Sequence, residues 1–416
     1  MNDSLLPIEV RLRAAGLPSL PRTAWLQIDV DALAANVATA RSLLATGVRL
    51  AAVVKADAYG HGLVPTARAF AAAGVDHLCV ATLDEALTVA AAGSGVPVLL
   101  LFQPPIDGLC AAADAGIEVT VASEASLDEL EPALRPAARR LRVHLEIDTG
   151  LGRAGVAPDR AGAVAAWLLA IPGIELVGTW THLASASDPA PSGVQGARFR
   201  EACDAMSSAG AGRLLRHAAA TGGLFGATAP QLDMVRLGLS LYGLLPEAFP
   251  VAPGARAAAA ALRPAMSLHA RALRIADVTP GDGVGYGSRW RAPRPSRVAT
   301  LPVGYGDGWT YGSAGLTAAL VRGRRVPLVG SVAMDAIAAD VTDVPGVGAG
   351  DEFVLLGAQG SERIAALELA HARTTIPWEI VTAMASRLPR VYDASGVVLS
   401  VRTLAGESRR EGARTR

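Results

Sequence analysis

A strand-then-helix alternation runs from about Trp25 to about Gly243, and no other feature constrains this chain as strongly. The segment RLAAVVKADAYG is an unbroken β-branched and apolar run ending in polar and glycine residues, as expected of a strand buried on both faces. PTARAFAAAG follows as a helix closed by Gly74. HLCVAT and LDEALTVAAAG repeat the pair, and VPVLLLF, IEVTVAS, LRVHLEIDTG and ELVGTWTHLAS continue the strands, with Ala-rich helical pieces between them. Parallel neighbours need a crossover of helix length, so the rhythm implies a parallel sheet. The number of units fits an α/β fold of the (β/α)8 TIM-barrel type. An open doubly wound sheet is the structural alternative.

After Leu262 the helical pattern fades. SLHARALRIADV, SRVATLPVGYG, AALVRGRRVPLVG, AIAADVTDV and DEFVLLG are short strands between Gly/Pro turns, which marks a mostly β C-terminal domain. One helical stretch, Trp378 to Ser386, interrupts it. The boundary is expected near 255–265, in VAPGARAAAAALRP. The expected organisation is an N-terminal extension over 1–23, the barrel over 24–260, the β domain over 261–400 and a tail over 401–416. A chain of 416 residues exceeds one compact core, and a hydrophobic content of 51% supplies two.

Lys+Arg 38 against Asp+Glu 38 gives no net charge, which argues against a nucleic-acid binder. The basic end from Arg409 to Arg416 reads as a solvated tail. Cys79, Cys110 and Cys203 are scattered, with neither disulfide nor zinc spacing, and fit a cytoplasmic setting. The N-terminus is not a secretory signal, and no apolar run approaches the length of a membrane span. No metal-ligand cluster is visible. GVGAGDEF reads as a turn before a strand, without the lysine of a P-loop, and Asp29 and Asp31 sit too early to pair as catalytic carboxylates.

In a (β/α) barrel, polar residues at strand C-termini form the active site. Lys55 follows the buried run AAVV, where an amine is costly unless it is paired or covalently used. A strand-end lysine that snorkels to solvent is the plain alternative. KADAYGHG resembles the cofactor-lysine motif of the alanine racemase family, the fold-type III pyridoxal-phosphate enzymes. Further segments resemble that family in order: IDVDALAANV, HLEIDTGLGRAGV, THLASAS, VRLGLSLYG, VGYGSRW, LPVGYGDG, SVAMDAIAADVTD and RLPRVY.

The resemblance implies a two-base racemisation of a small amino acid, alanine first, with pyridoxal 5'-phosphate bonded through Lys55. One base must act on each face of the α-carbon. Lys55 would serve one face and Tyr286 the other, with Tyr286 arriving from the second subunit of a homodimer. A phenol ionises near pH 10 and needs positive charge or hydrogen bonds beside it to act as a base. The resemblance further implies that Arg236 faces the pyridine nitrogen, supported by His182 and His217. Phosphate would meet Tyr59, Thr221 and the amides of Gly238 and Leu239, and Arg153 with the Met334 backbone would take the substrate carboxylate. Tyr305 and Asp335 match residues at the rim. Without the resemblance, Tyr286 is a turn aromatic, Met334 core, and each histidine structural.

Three positions depart from the family pattern. Glu146 stands where a carbamylated lysine is common, and a native carboxylate there would pair with Arg153 instead. HAANS reads HAAAT, so Ala220 has lost an amide while Thr221 keeps its hydroxyl. Trp378 replaces a tyrosine near the phosphate and the substrate methyl, and its indole donates but cannot accept. The competing readings are a racemase for another small amino acid such as serine, a decarboxylase of the same architecture, and a non-catalytic cofactor-binding protein. The decarboxylase's cysteine-bearing motif is missing, and the cofactor-binding proteins resemble the barrel alone.

Overall fold

Strand Arg49–Val53 pairs in parallel on both of its sides, with His77–Val80 and with Met234–Leu237, and so closes a ring. The ring is an eight-stranded parallel barrel. Its other strands are Val98–Leu100, Glu118–Val121, Leu141–Glu146, Ile174–Trp180 and Leu215–His217. This computed structural model describes residues 6–134, 139–247 and 249–410. The chain divides into two units, one formed by Leu33–Ala58 with Leu63–Leu262, the other by the chain up to Ala32, Tyr59–Gly62 and the chain from Arg263 onward.

In the barrel unit the helices form where apolar residues recur at helical spacing. Helix Leu63–Ala72 buries Leu63, Thr66, Ala67 and Phe70, one face of the helix. Helix Leu83–Ala91 starts on a capping box, with the Thr82 side chain accepting from the Glu85 amide and Glu85 accepting from the Thr82 amide. The 20-residue helix Pro189–Ser208 opens on Asp188, whose side chain accepts from the Ala190 amide.

The β unit is built on a 12-stranded sheet. Five consecutive strands in it are Glu352–Gln359, Met266–Arg271, Ala24–Asp29, Arg390–Ala394 and Val397–Thr403. Ala24–Asp29 corrects the sequence expectation that the barrel begins at residue 24. This strand pairs antiparallel with Met266–Arg271 and parallel with Arg390–Ala394. Trp25 stacks on His269 with ring centroids 5.4 Å apart. An apolar run followed by a helix satisfies either sheet equally well, so the local pattern could not choose the partner.

Two terminal expectations also change. Val397–Thr403 pairs with Gly406–Arg409, so the expected tail from 401 is sheet as far as Arg409, and 411–416 lie outside the described residues. In the expected extension, helix Ile8–Ala14 inserts Ile8 and Leu12 into a cluster with Trp25, Val391, Val398 and Val401. The expected helix at Trp378–Ser386 is Pro377–Thr382, preceded by Ala366–Ala372. No helix among the described residues is long and apolar enough to cross a membrane.

Candidate active site

In the barrel unit, Lys55 sits just past strand Arg49–Val53, at the strand's C-terminal end. The backbone then runs left-handed through Ala56, Asp57, Ala58 and Tyr59, with φ of 54°, 54°, 54° and 51°. Each such residue costs roughly 1–2 kcal/mol, so the turn must be held by its surroundings. Glu85 Oε1 accepts from the Ala56 amide at 2.7 Å, the Val54 carbonyl from the Ala58 amide at 2.8 Å, and Asp57 Oδ1 from the Leu63 amide at 2.7 Å. Strain of this kind concentrates at functional sites. Burial lowers the Lys55 amine below its ordinary value and Arg153 and Arg236 add to the effect, while Glu85 opposes it. A lowered lysine is the nucleophilic form.

Arg236 is buried on strand Met234–Leu237. It donates to His217 Nδ1 at 2.6 Å, the Thr181 carbonyl at 2.9 Å, the His217 carbonyl at 3.1 Å and His182 Nδ1 at 3.4 Å. Its guanidinium lies over the Trp180 ring at 4.7 Å. Burial pulls Arg236 down to about 10, so it stays charged at neutral pH. Burial and the Arg236 charge lower His182 to about 3 and drive His217 well below its ordinary value, so both imidazoles are neutral.

Thr221 opens the helix Thr221–Phe225, and its hydroxyl lies 3.1 Å from that of Ser240. Gly238 and Leu239 start the 3-10 turn Leu239–Tyr242, directly after the Arg236 strand. Asp148 Oδ1 gathers the amides of Gly150, Leu151 and Gly152 at 3.0, 3.0 and 3.1 Å, a turn that delivers Arg153. Gly155 closes it, since a Cβ there would lie 2.5 Å from the Asp148 nitrogen.

Arg153 reaches Glu146, with Nη2 3.5 Å from Oε1, and stacks over Phe102 at 4.9 Å. Glu146 is buried, and its Oε2 has no hydrogen-bond partner among the described residues. Burial raises its carboxyl above the ordinary value, and Arg153 opposes that. The expected Glu146–Arg153 pair is therefore present as a long, one-sided contact. Glu146→Gln removes the fixed charge on Arg153 and is expected to raise KM for substrate about tenfold, with kcat changed less. Steady-state kinetics of the variant check this, and an unchanged KM would exclude an orienting role.

The β unit holds the remaining sequence-predicted residues. Tyr59 begins the segment Tyr59–Gly62, where Arg390 Nε donates to the Gly60 carbonyl at 2.8 Å and Tyr392 to the His61 carbonyl at 2.8 Å. Tyr286 opens a 3-10 turn and is 77% exposed, and its carbonyl accepts from Ser331 Oγ at 2.8 Å. The Ala333 and Met334 carbonyls accept from the Tyr305 and Gly306 amides at 3.0 and 2.9 Å. Asp335 pairs with Arg387, which also holds buried Asp307 at 2.7 Å. Trp378 lies in helix Pro377–Thr382. Among the described residues, sequence reasoning missed Glu118 and His144, which sit behind His217. A glutamate opening the apolar run IEVTVAS, and the HLE alternation that sets His144 and Glu146 on one strand face, were the available signals.

The family model described as "Alanine racemase, N-terminal domain" matches residues 28–246, and "Alanine racemase, C-terminal domain" matches 265–392. An alanine racemase of Desulfovibrio desulfuricans is 36% identical over 376 residues, covering 90% of this chain and 99% of that one. One from Thermobifida fusca is 38% identical over 371 residues, covering 88% and 97%. Among solved structures, alanine racemase from Bacillus anthracis with bound L-Ala-P superposes with a TM-score of 0.86 at 32% identity, covering 93% and 99%. Alanine racemase from Streptomyces coelicolor A3(2) superposes with a TM-score of 0.80 at 34% identity, covering 89% and 98%.

Proposed function

Because this chain belongs to the alanine racemase family in both of its domains, we propose that it interconverts L- and D-alanine with pyridoxal 5'-phosphate. The observation that carries the reading is one barrel mouth holding a lowered Lys55 amine and a buried, charged Arg236. These residues fit the cofactor. Arg236 donates to no carboxylate among the described residues, so its charge suits an acceptor such as a ring nitrogen. Thr221 and the Gly238–Leu239 turn suit a phosphate. When bound, the cofactor withdraws electron density from the substrate α-carbon so that its proton can leave.

The residues then divide the work. Lys55 Nζ would hold the cofactor, and as a free amine it would move a proton on one face of the α-carbon. The Tyr286 hydroxyl moves a proton on the opposite face. Arg236 keeps its own proton, so it would donate to a ring nitrogen without giving up that proton, which would favour racemisation over side reactions. Arg153, oriented by Glu146, takes the substrate carboxylate with the Met334 backbone. Tyr59 and Trp378 assist at the phosphate, His182 supports Arg236, and Tyr305 and Asp335 form the rim.

The working form is a homodimer with two shared sites, each Tyr286 serving the Lys55 of the second copy. Tyr286, Tyr305, Tyr311 and Met334 are large apolar side chains left exposed in the single chain, which supports the dimer reading. Three free thiols suit a reducing, cytoplasmic setting. The reading is tested with purified protein, pyridoxal phosphate, and L-alanine or L-serine, followed by chiral chromatography. D-alanine forming much faster than D-serine supports it. Faster D-serine would leave racemisation standing and transfer the substrate to serine, and no D-isomer from either would overturn the reading.

A further inference from the structure

Behind Arg236 a line of polar side chains crosses the barrel interior. His217 Nδ1 is 2.6 Å from Arg236 Nη1, His217 Nε2 is 3.0 Å from His144 Nδ1, and His144 Nε2 is 3.0 Å from Glu118 Oε2. All four residues are buried. At the far end Arg142 Nη1 lies 2.6 Å from Glu118 Oε1, and His77 Nε2 lies 3.6 Å from Oε2.

The proton positions along this line are forced by its ends. A guanidinium only donates, so His217 Nδ1 must accept, and neutral His217 carries its proton on Nε2. That proton can go only to His144 Nδ1, so His144 carries its own proton on Nε2. Glu118, as a carboxylate, only accepts and receives it. Every hydrogen bond therefore points the same way, from a buried cation to a buried anion. Burial pushes the Glu118 carboxyl upward, but the hydrogen bond from His144 and the nearby His77 ring outweigh it and hold the group below the usual carboxylate range. Burial also lowers both His144 and His217, in keeping with neutral imidazoles.

Two further features show that the line is built rather than incidental. A Cβ on Gly178 would lie 2.2 Å from His144 Nδ1 and 2.4 Å from Cε1, so glycine is required for the ring to sit there. Trp180 stacks on the His217 ring at 6.2 Å and 10°, beneath the same guanidinium it faces at 4.7 Å.

We propose that Glu118 and His144 are positioning residues for Arg236: the Glu118 carboxylate, acting through two neutral imidazoles, fixes the His217 tautomer that accepts from the guanidinium. This rests on the reading that Arg236 faces the cofactor ring. A buried charge needs compensation, and polarised hydrogen-bond chains strengthen in a low dielectric. Losing the carboxylate would weaken the hold on the guanidinium and let the ring nitrogen gain proton character.

The test has two arms. In the cofactor-free protein, 15N NMR of labelled histidines should show His144 and His217 as neutral Nε2–H tautomers. Glu118→Gln, which keeps an acceptor but loses the charge, should shift both. A wild-type Nδ1–H tautomer or imidazolium at either position overturns the proposal, as does a folded Glu118→Gln protein with both signals unmoved. In the loaded enzyme, the share of turnovers diverted from racemisation to transamination should rise about tenfold in Glu118→Gln, the size expected when one charged hydrogen bond is weakened. An unchanged partition in that variant overturns the positioning role. The NMR arm needs no turnover, so a wild type that does not racemise would count against the proposed function and not against the line.

Discussion

Tyr286→Phe is expected to lower alanine racemisation by roughly 10²–10⁴-fold, the usual contribution of a positioned acid–base group. The ring and its packing remain, and only the hydroxyl is lost. With a single hydroxyl removed, the melting temperature should stay within about a degree or two of wild type. The dimer reading adds a sharper expectation. Lys55→Ala should abolish activity, and Tyr286→Phe nearly so. Subunits of the two variants, dissociated, mixed in equal amounts and reassociated, form half hetero-dimers. Each of those carries one intact and one doubly defective site, so about a quarter of wild-type activity should return. If the mixture stays inactive while hetero-dimers are present, Lys55 and Tyr286 do not act across the dimer.

Arg11→Ala is expected to cost about 3–5 kcal/mol of stability, the range for removing one partner of a buried pair. Arg11 lies on the helix Ile8–Ala14 and donates to Asp393 Oδ2 at 2.8 Å, the Gly396 carbonyl at 3.1 Å and Gln27 Oε1 at 3.4 Å. Burial raises the Asp393 carboxyl to about 6 against the opposing pull of Arg11. A raised folded-state pKa means that the folded chain holds a proton the unfolded chain gives up. The contribution of Asp393 is therefore fully present below its ordinary value of 3.8 and is lost as pH rises through about 6. Without Arg11 the carboxyl rises further, so the deficit should be larger at pH 7–8 than near pH 4–5. Urea unfolding of both proteins across that range checks it. A deficit independent of pH would mean that helix packing, not the ion pair, holds this end of the chain.

The barrel was legible where its strands lie within apolar runs, from Arg49–Val53 to Ile174–Trp180. Leu215–His217 holds an arginine and a histidine in three residues and Met234–Leu237 an arginine in four, so neither reads as an apolar run, and they were visible only through the motifs around them. Ala24–Asp29 was misplaced because period and burial describe a strand's faces and not its neighbours. Lys55 could be suspected from its place after a buried run. Tyr286 could not, since an exposed tyrosine between glycines has no chemistry visible without the family pattern. Glu118 and His144 escaped for another reason: they are 26 residues apart in sequence, and only the register in which their two neighbouring strands pair brings them to 3.0 Å.

Two-base racemisation is tested by the early isotope pattern from L-alanine in deuterated water. At low conversion, mass spectrometry of the separated enantiomers should find the D-alanine α-deuterated and the recovered L-alanine still protiated. Lys55 and Tyr286 would then each handle one face, the leaving proton and the arriving deuteron never sharing a base. D-alanine that retains the original proton, or L-alanine that exchanges without inverting, would contradict the account.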